Sequence, residues 1–200
     1  MARDVETLAV YSQAATDYAN GFARKKDISQ AEDMDAFLAL VPKGGRILDY
    51  GCGPGHWAAT FRDEGYEAEA TDAVQEMADL ARDRYGIEVR VEPFEALAAQ
   101  ARYDGIWANF SLLHAPRGDF PGHLERLRTA LKPGGALHLG MKLGTGEARD
   151  RLGRFYTYYG EEELVTLVET AGFIVTATRR GNGEGLAGGP ETFVTLTAHA

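Results

Sequence analysis

Cysteine is nearly absent from the chain: Cys52 stands alone in 200 residues. No intramolecular disulfide can form, and a lone thiol offers no metal-ligand spacing, so no metal is expected. Positive charge is also scarce, with Lys+Arg 21 against Asp+Glu 30 and a net charge of −9. A surface of that sign repels a polyanion unless it gathers a local basic patch. The densest basic group, Arg149, Arg151 and Arg154, is too short to track a phosphate backbone. Nucleic acid is therefore not expected as a partner. The run of 18 or so apolar residues that a membrane span needs is missing. The first 30 residues alternate charged and apolar types without the apolar centre of a secretory signal. These absences predict no membrane partner and a cytoplasmic location. With 44% hydrophobic residues and no internal repeat or dividing linker, residues 1–200 are expected to form one domain.

What is present alternates between strand and helix signals, which predicts an α/β fold with a parallel sheet covered on both faces. Apolar positions 31, 34, 37, 38 and 41 recur at helical spacing and stop at Pro42-Lys43-Gly44-Gly45. Strands are expected at 46–49, 67–71, 87–91, 103–108, 136–141, 173–178 and 193–199, with helices between most of them. The last two are separated only by the glycine-rich stretch Gly181 to Pro190, with no helix to carry a parallel crossover. They should pair antiparallel at a sheet edge.

The most informative run is Ile47-Leu48-Asp49-Tyr50-Gly51-Cys52-Gly53-Pro54-Gly55, followed by Asp72 twenty-one residues after Gly51. A buried strand ends in an acid, and a turn with glycines at alternate positions then opens into a helix. Glycine lets the backbone take positive φ and lets a ligand approach the main chain. An acid about 20 residues further on, at the end of the next strand, is placed to take a ribose diol. The pattern predicts an adenosine-cofactor site. A dinucleotide turn, G-x-G-x-x-G, would put glycine or alanine at position 56, where this chain has His56.

The G-x-G-x-G spacing with Asp49 two residues upstream resembles motif I of the class I S-adenosylmethionine-dependent methyltransferases, and Thr71-Asp72-Ala73 resembles their acidic second loop. The resemblance extends over about residues 30 to 199 and includes the Leu131-Lys132-Pro133-Gly134-Gly135 turn. It implies a Rossmann-like, doubly wound seven-stranded sheet in the order 3-2-1-4-5-7-6, with strand 7 antiparallel. It also implies S-adenosyl-L-methionine as cofactor and methyl transfer to a small molecule. Two other readings stay open from sequence: a non-catalytic protein binding S-adenosylmethionine or S-adenosylhomocysteine, and a nicotinamide-dependent oxidoreductase.

On this reading Gly51, Cys52, Gly53 and Gly55 pass the cofactor's methionine and ribose portion, and Asp72 with Ala73 takes the ribose hydroxyls. Asp49 orients either the turn or the cofactor amino group. Phe94 packs on the adenine face, in a place where many family members carry an acid. Asn109, Phe110 and Ser111 follow the fourth strand, where the methyl group is presented. Phe110-Ser111-Leu112 lacks the Pro-Pro-aromatic signature of exocyclic-amine enzymes acting on nucleic acid. His114 is the candidate catalytic base in this loop, with a histidine hydrogen-bonded to backbone at the start of the following helix as the alternative. Tyr11, Tyr18 and Phe22 recur at spacings of seven and four, on one helical face. They suggest that residues 1–28 form a helical lid over a core of 29–200, with Tyr11 and Tyr18 near the cofactor. Past the fifth strand, Arg149, Arg154, Tyr156 and Tyr159 suggest a pocket for an anionic or aromatic acceptor. Oligomeric state is not legible.

Overall fold

The computed structural model describes residues 4–21 and 30–200. Phe22 and the residues after it to 29 lie outside the described residues. The expected N-terminal helix is two short helices, α1 (Val5–Gln13) and α2 (Ala15–Gly21), broken at Ala14. Asp4 caps α1 by accepting the Thr7 N–H at 2.9 Å. Then follow α3 (Ala31–Leu38), β1 (Arg46–Tyr50), α4 (His56–Asp63), β2 (Glu67–Asp72), α5 (Gln75–Tyr85), β3 (Val89–Val91) and β4 (Tyr103–Asn109). The second half runs α6 (Phe120–Ala130), β5 (Leu131–Lys142), β6 (Glu147–Arg149), β7 (Phe155–Thr157), α7 (Glu161–Thr170), β8 (Ile174–Glu184) and β9 (Pro190–His199).

Seven strands form one sheet in the order β3-β2-β1-β4-β5-β9-β8. β1 to β5 run parallel, and β9 lies antiparallel between β5 and β8. This is the expected order, with β8 and β9 in the places of strands 6 and 7. Strand β1 shows why the sheet is covered twice, since neighbouring side chains point to opposite faces. Leu48 and Tyr50 join β4, β5, α6 and α7 in one core, while Ile47 joins Phe37, Phe61, Trp57 and Trp107 in the other.

Three details differ from expectation. The turn at Lys132 to Gly135 belongs to β5 as a bulge: Leu131 pairs with Tyr103, and the ladder resumes at Gly105 and Ala136. The β8–β9 hairpin is longer than expected, pairing from Ile174 with His199 out to Glu184 with Pro190, so only residues 185–189 turn. A separate small hairpin, β6 with β7, stands above the sheet after β5. Its strands have three residues each, too few for alternation to register in sequence.

Candidate functional site

The carboxyl ends of β1, β2 and β4 meet where the strand order reverses, the place where open α/β sheets bind ligands. A cavity of about 320 Å³ opens there and continues past the end of β5.

At the β1 end, Gly51 and Cys52 donate N–H bonds to Thr71 O at 2.8 and 2.9 Å, tying the glycine turn to β2. Asp49 is 2% exposed, and its Oδ2 accepts the Ala58 N–H at 2.9 Å, in the first turn of α4. That helix has no side-chain cap at Gly55, so a carboxyl from the preceding strand takes one of its unpaired donors. Asp49 thus bonds the first turn of the helix, not the glycine turn, whose N–H groups go to Thr71 and Asp72, and it also lines the cavity. Burial, with a further contribution from the Asp72 charge, pushes its pKa up to about 8.

Asp72 ends β2 with its carboxylate fixed twice. Oδ2 accepts the Gly53 N–H at 2.7 Å, and Oδ1 accepts the Val74 N–H at 2.9 Å. Its limited exposure is to the cavity, and burial raises its pKa against those backbone bonds. Each oxygen keeps a lone pair for a ligand hydroxyl. The three glycines do different work. A Cβ on Gly51 would lie 2.4 Å from Ser111 Cβ, and one on Gly55 2.7 Å from Ala81 Cβ, so these two permit close packing. At Gly53 the nearest atom would be Tyr18 Cε1 at 3.8 Å. Gly53 lines the cavity and Gly55 does not, which corrects the expected role of Gly55.

The remaining cofactor-end residues mostly gather as expected. Cys52, Ala73, Phe94, Asn109, Phe110 and Ser111 all line the cavity. Cys52 donates to Gly53 O at 3.3 Å, and burial beside Asp49 and Asp72 holds its thiol well above its ordinary pKa, so it stays protonated. Phe94 packs at 5.0 Å between centroids against Tyr50, whose hydroxyl donates to Phe94 O at 2.7 Å. Ser111 Oγ donates to Tyr50 O at 2.6 Å. Asn109 donates from Nδ2 to Gln30 Oε1 at 3.0 Å and accepts at Oδ1 from His138 Nε2 at 3.1 Å. Phe110 takes positive φ, 53°, and its ring meets Phe193 edge-on at 5.2 Å.

His114 is fully engaged. Nδ1 lies 2.6 Å from Phe155 O, which can only accept, so Nδ1 carries the proton. Nε2 then accepts the Tyr11 hydroxyl at 2.9 Å. Burial and the charges of Arg154 and Lys142 depress its pKa to about 4, so the ring is neutral at pH 7 yet has no free lone pair. As placed, the ring holds Tyr11 instead of standing free as a base, and its Phe155 bond matches the alternative of a histidine bonded to backbone. Tyr11 Oη in turn accepts Arg154 Nη1 at 2.9 Å, and Tyr18 packs edge-on against Tyr11 at 5.7 Å, so both tyrosines reach the cavity wall. Asp4 to Arg149 at 2.7 Å and Thr7 Oγ1 to the Phe155 N–H at 2.7 Å join α1 to the β6–β7 hairpin at two more points.

The expected acceptor residues divide. Arg154 and Tyr156, each 2% exposed, line the cavity. The Arg154 fork, however, is held by Asp150 through Nε at 2.9 Å and Nη2 at 2.7 Å, so it is not open to an acceptor anion. Arg149 is exposed and bonds Asp4 and Gly153 O, and Tyr159 packs 4.9 Å from Phe120 beneath Arg117. Neither reaches the cavity, which corrects both expectations. Lys142 and Glu191 do reach it and were missed from sequence. Lys142 ends β5, at the same sheet edge as Asp49 and Asp72, and that position could have flagged it. Glu191 comes from the start of the antiparallel β9, which no motif marks.

The Asp49 pKa gives a sign for pH dependence. A ligand carrying positive charge near Asp49 stabilises its ionised form, so binding expels a proton. Affinity for S-adenosylhomocysteine should then rise from pH 6 to the free-state pKa of about 8 and level off above it. Calorimetry across that range is expected to show this rise, and Asp49→Asn to flatten it.

Comparison with known proteins gives a consistent answer. The model of a family described as a methyltransferase domain matches residues 24–178. The malonyl-[acyl-carrier protein] O-methyltransferase of Enterobacter lignolyticus is 30% identical over 133 residues, covering 64% of this chain and 50% of that one. A ubiquinone biosynthesis O-methyltransferase of Xanthomonas axonopodis pv. citri is 32% identical over 107 residues, covering 50% of this chain and 44% of that one. The chain thus spans about half the length of the curated relatives it matches. Among solved structures, the 1,6-didemethyltoxoflavin-N1-methyltransferase of Burkholderia thailandensis has a TM-score of 0.70 at 25% identity, covering 100% of this chain and 91% of that one. That crystal holds 1,6-didemethyltoxoflavin and S-adenosylhomocysteine. No helix among the described residues is long and apolar enough to cross a membrane.

Proposed function

The chain belongs to the methyltransferase-domain family, and from that premise we propose that it transfers the methyl group of S-adenosylmethionine to a small-molecule acceptor. The observation that carries the cofactor assignment is the pair of acids at the cavity's inner end. Asp72 is fixed by the Gly53 and Val74 N–H groups, and Asp49 lies beside it at the start of α4. Such a pair of acceptors suits a ligand with a ribose diol and net positive charge. It does not suit a pyrophosphate, which would need the N-terminus of α4 that Asp49 already occupies.

When bound, the cofactor supplies a methyl group on a sulfonium, already a strong electrophile. The protein's own task is chiefly to position the acceptor in a water-poor pocket. Asp72 would accept the ribose hydroxyls, the Gly53 backbone would pass the cofactor closely, and Phe94 would pack on the adenine. Asn109, Phe110 and Ser111 would shape the wall after β4. Tyr11 and Tyr18 would close the near side, making α1 and α2 a lid joined to the β6–β7 hairpin. With His114 neutral and doubly bonded, an acceptor already ionised at neutral pH suits the site better than one needing deprotonation. Phe110, Phe193 and Tyr156 add an aromatic lining, which favours an acceptor that is aromatic as well as anionic.

Equilibrium binding tests this. S-adenosylhomocysteine should bind tightly and NAD should not, and Tyr11→Ala should weaken the first. Labelled methyl groups should then move from cofactor to a pool of small acids and phenols. NAD binding, or tight cofactor binding without any transfer, would each reject the proposal.

A further inference from the structure

We propose that Lys142 is the docking cation for a carboxylate-bearing acceptor, and that Glu191 is its resting counter-ion, displaced when the acceptor enters. The inference rests on the methyltransferase reading, which makes the β5 side of the cavity the acceptor end. Lys142 is 8% exposed, and its Nζ lies 2.6 Å from Glu191 Oε1. The same ammonium sits 3.7 Å from the centroid of the Tyr156 ring. Glu191 takes one of its three donors, and the aromatic face supports the charge from below.

Among the described residues two cations line this end of the cavity, and they differ in availability. Arg154 is gripped along two nitrogens by Asp150 and along the third by Tyr11. Among the described residues Lys142 has a single carboxylate partner, Glu191. Lys142 is also the one hydrogen-bond partner of the Glu191 carboxylate among the described residues. The Glu191 side chain is 27% exposed and stands at the start of β9, beside the turn of the β8–β9 hairpin. It lies so close to that turn that a Cβ on Gly185 would be 2.7 Å from both carboxylate oxygens. Glycine there leaves the carboxylate free to swing outward past bare backbone.

A carboxylate held by a shielded lysine shows how a ligand carboxylate would sit in its place. Exchange of one carboxylate for another keeps the ammonium paired, whereas a neutral acceptor leaves the resident pair untouched and gains nothing from Lys142. Breaking such a pair without replacement leaves an uncompensated charge, and this asymmetry gives selection for acids over their neutral analogues. Phe193, opposite Lys142 in the β5–β9 ladder, and Phe110 beside it supply flat apolar walls for the rest of the molecule.

The probes are benzoate and its neutral analogue benzyl alcohol, titrated calorimetrically into the protein with and without saturating S-adenosylhomocysteine. Benzoate should bind about tenfold more tightly than the alcohol, as expected for one charge-assisted contact. Lys142→Met should remove that preference, and Lys142→Arg should keep it. Glu191→Gln, which leaves the ammonium uncompensated, should tighten benzoate by a further factor of about ten. S-adenosylhomocysteine affinity should stay within about twofold in all three variants, since none of these residues is at the cofactor end. Equal binding of the two probes by both wild type and Glu191→Gln overturns the proposal, even if Lys142→Met fails to fold. Failure to bind S-adenosylhomocysteine would instead reject the cofactor reading, and the probe comparison on the free protein would still decide the role of Lys142.

Discussion

Asp72→Ala should lower the affinity for S-adenosylhomocysteine by two orders of magnitude or more while leaving a folded protein. The side chain does two things at once. It accepts the Gly53 and Val74 N–H groups at 2.7 and 2.9 Å, which sets the separation of the glycine turn from the start of α5. It also keeps lone pairs facing the cavity for the ribose diol. Hydrogen bonds to a charged group contribute about 1.5–3 kcal/mol each, so losing a pair costs roughly 3–6 kcal/mol of binding. At about 1.4 kcal/mol per decade, that is two to four powers of ten. Asp72→Asn separates the roles: the amide oxygen can still accept one backbone N–H, but the charge and one acceptor are gone. It should fall between wild type and alanine. Calorimetric titration of the three proteins, with thermal melts to establish folding, checks the order. An alanine variant that binds within fivefold of wild type would remove Asp72 from the cofactor site.

How much of this was legible in sequence depends on distance along the chain. Asp49, Gly53 and Asp72 were readable as neighbours because the strand–turn–helix–strand unit brings them together locally, the two acids near the ends of parallel strands and Gly53 in the turn between. The reversed edge strand was readable for a similar reason: residues 181–190 have no room for a crossover helix. The acceptor end was read poorly because its contacts depend on tertiary partners. Arg149 and Arg154 lie in one loop and look alike in sequence, yet Arg149 turns outward to Asp4 on the N-terminal segment, and Arg154 turns inward beneath Tyr11. Only the path of α1 separates them. His114 has the sequence credentials of a base, but both of its nitrogens are engaged by residues from distant segments, Phe155 and Tyr11. Lys142 and Glu191 meet because β9 runs back along β5, a pairing that places residues 49 positions apart in one ion pair.

The glycine turn itself yields the second large effect, because Gly53 and Gly55, which look equivalent in the motif, should respond in different ways. Gly55 has φ of 77°, and a Cβ there meets Ala81 Cβ of α5 at 2.7 Å. Gly55→Ala therefore combines the cost of a left-handed alanine, about 1–2 kcal/mol, with overpacking between α4 and α5, about 1–3 kcal/mol. A total near 2–5 kcal/mol corresponds to a Tm lower by roughly 5–15 °C in a domain of this size. The fraction that folds should still bind S-adenosylhomocysteine, since Gly55 does not line the cavity. Gly53 has φ of 52°, and among the described residues no atom comes closer than 3.8 Å to the added Cβ. Gly53→Ala incurs only the backbone cost, about 1–2 kcal/mol, and Tm should fall by just a few degrees. The methyl group, however, projects into the space where the cofactor passes the main chain, and a clash of about 1–3 kcal/mol weakens binding by roughly ten- to a hundredfold. Melting curves and calorimetric titrations on the same two variants measure both quantities. Glycines kept only to make the turn would lose stability and binding in parallel; a turn built around a cofactor loses stability at Gly55 and affinity at Gly53.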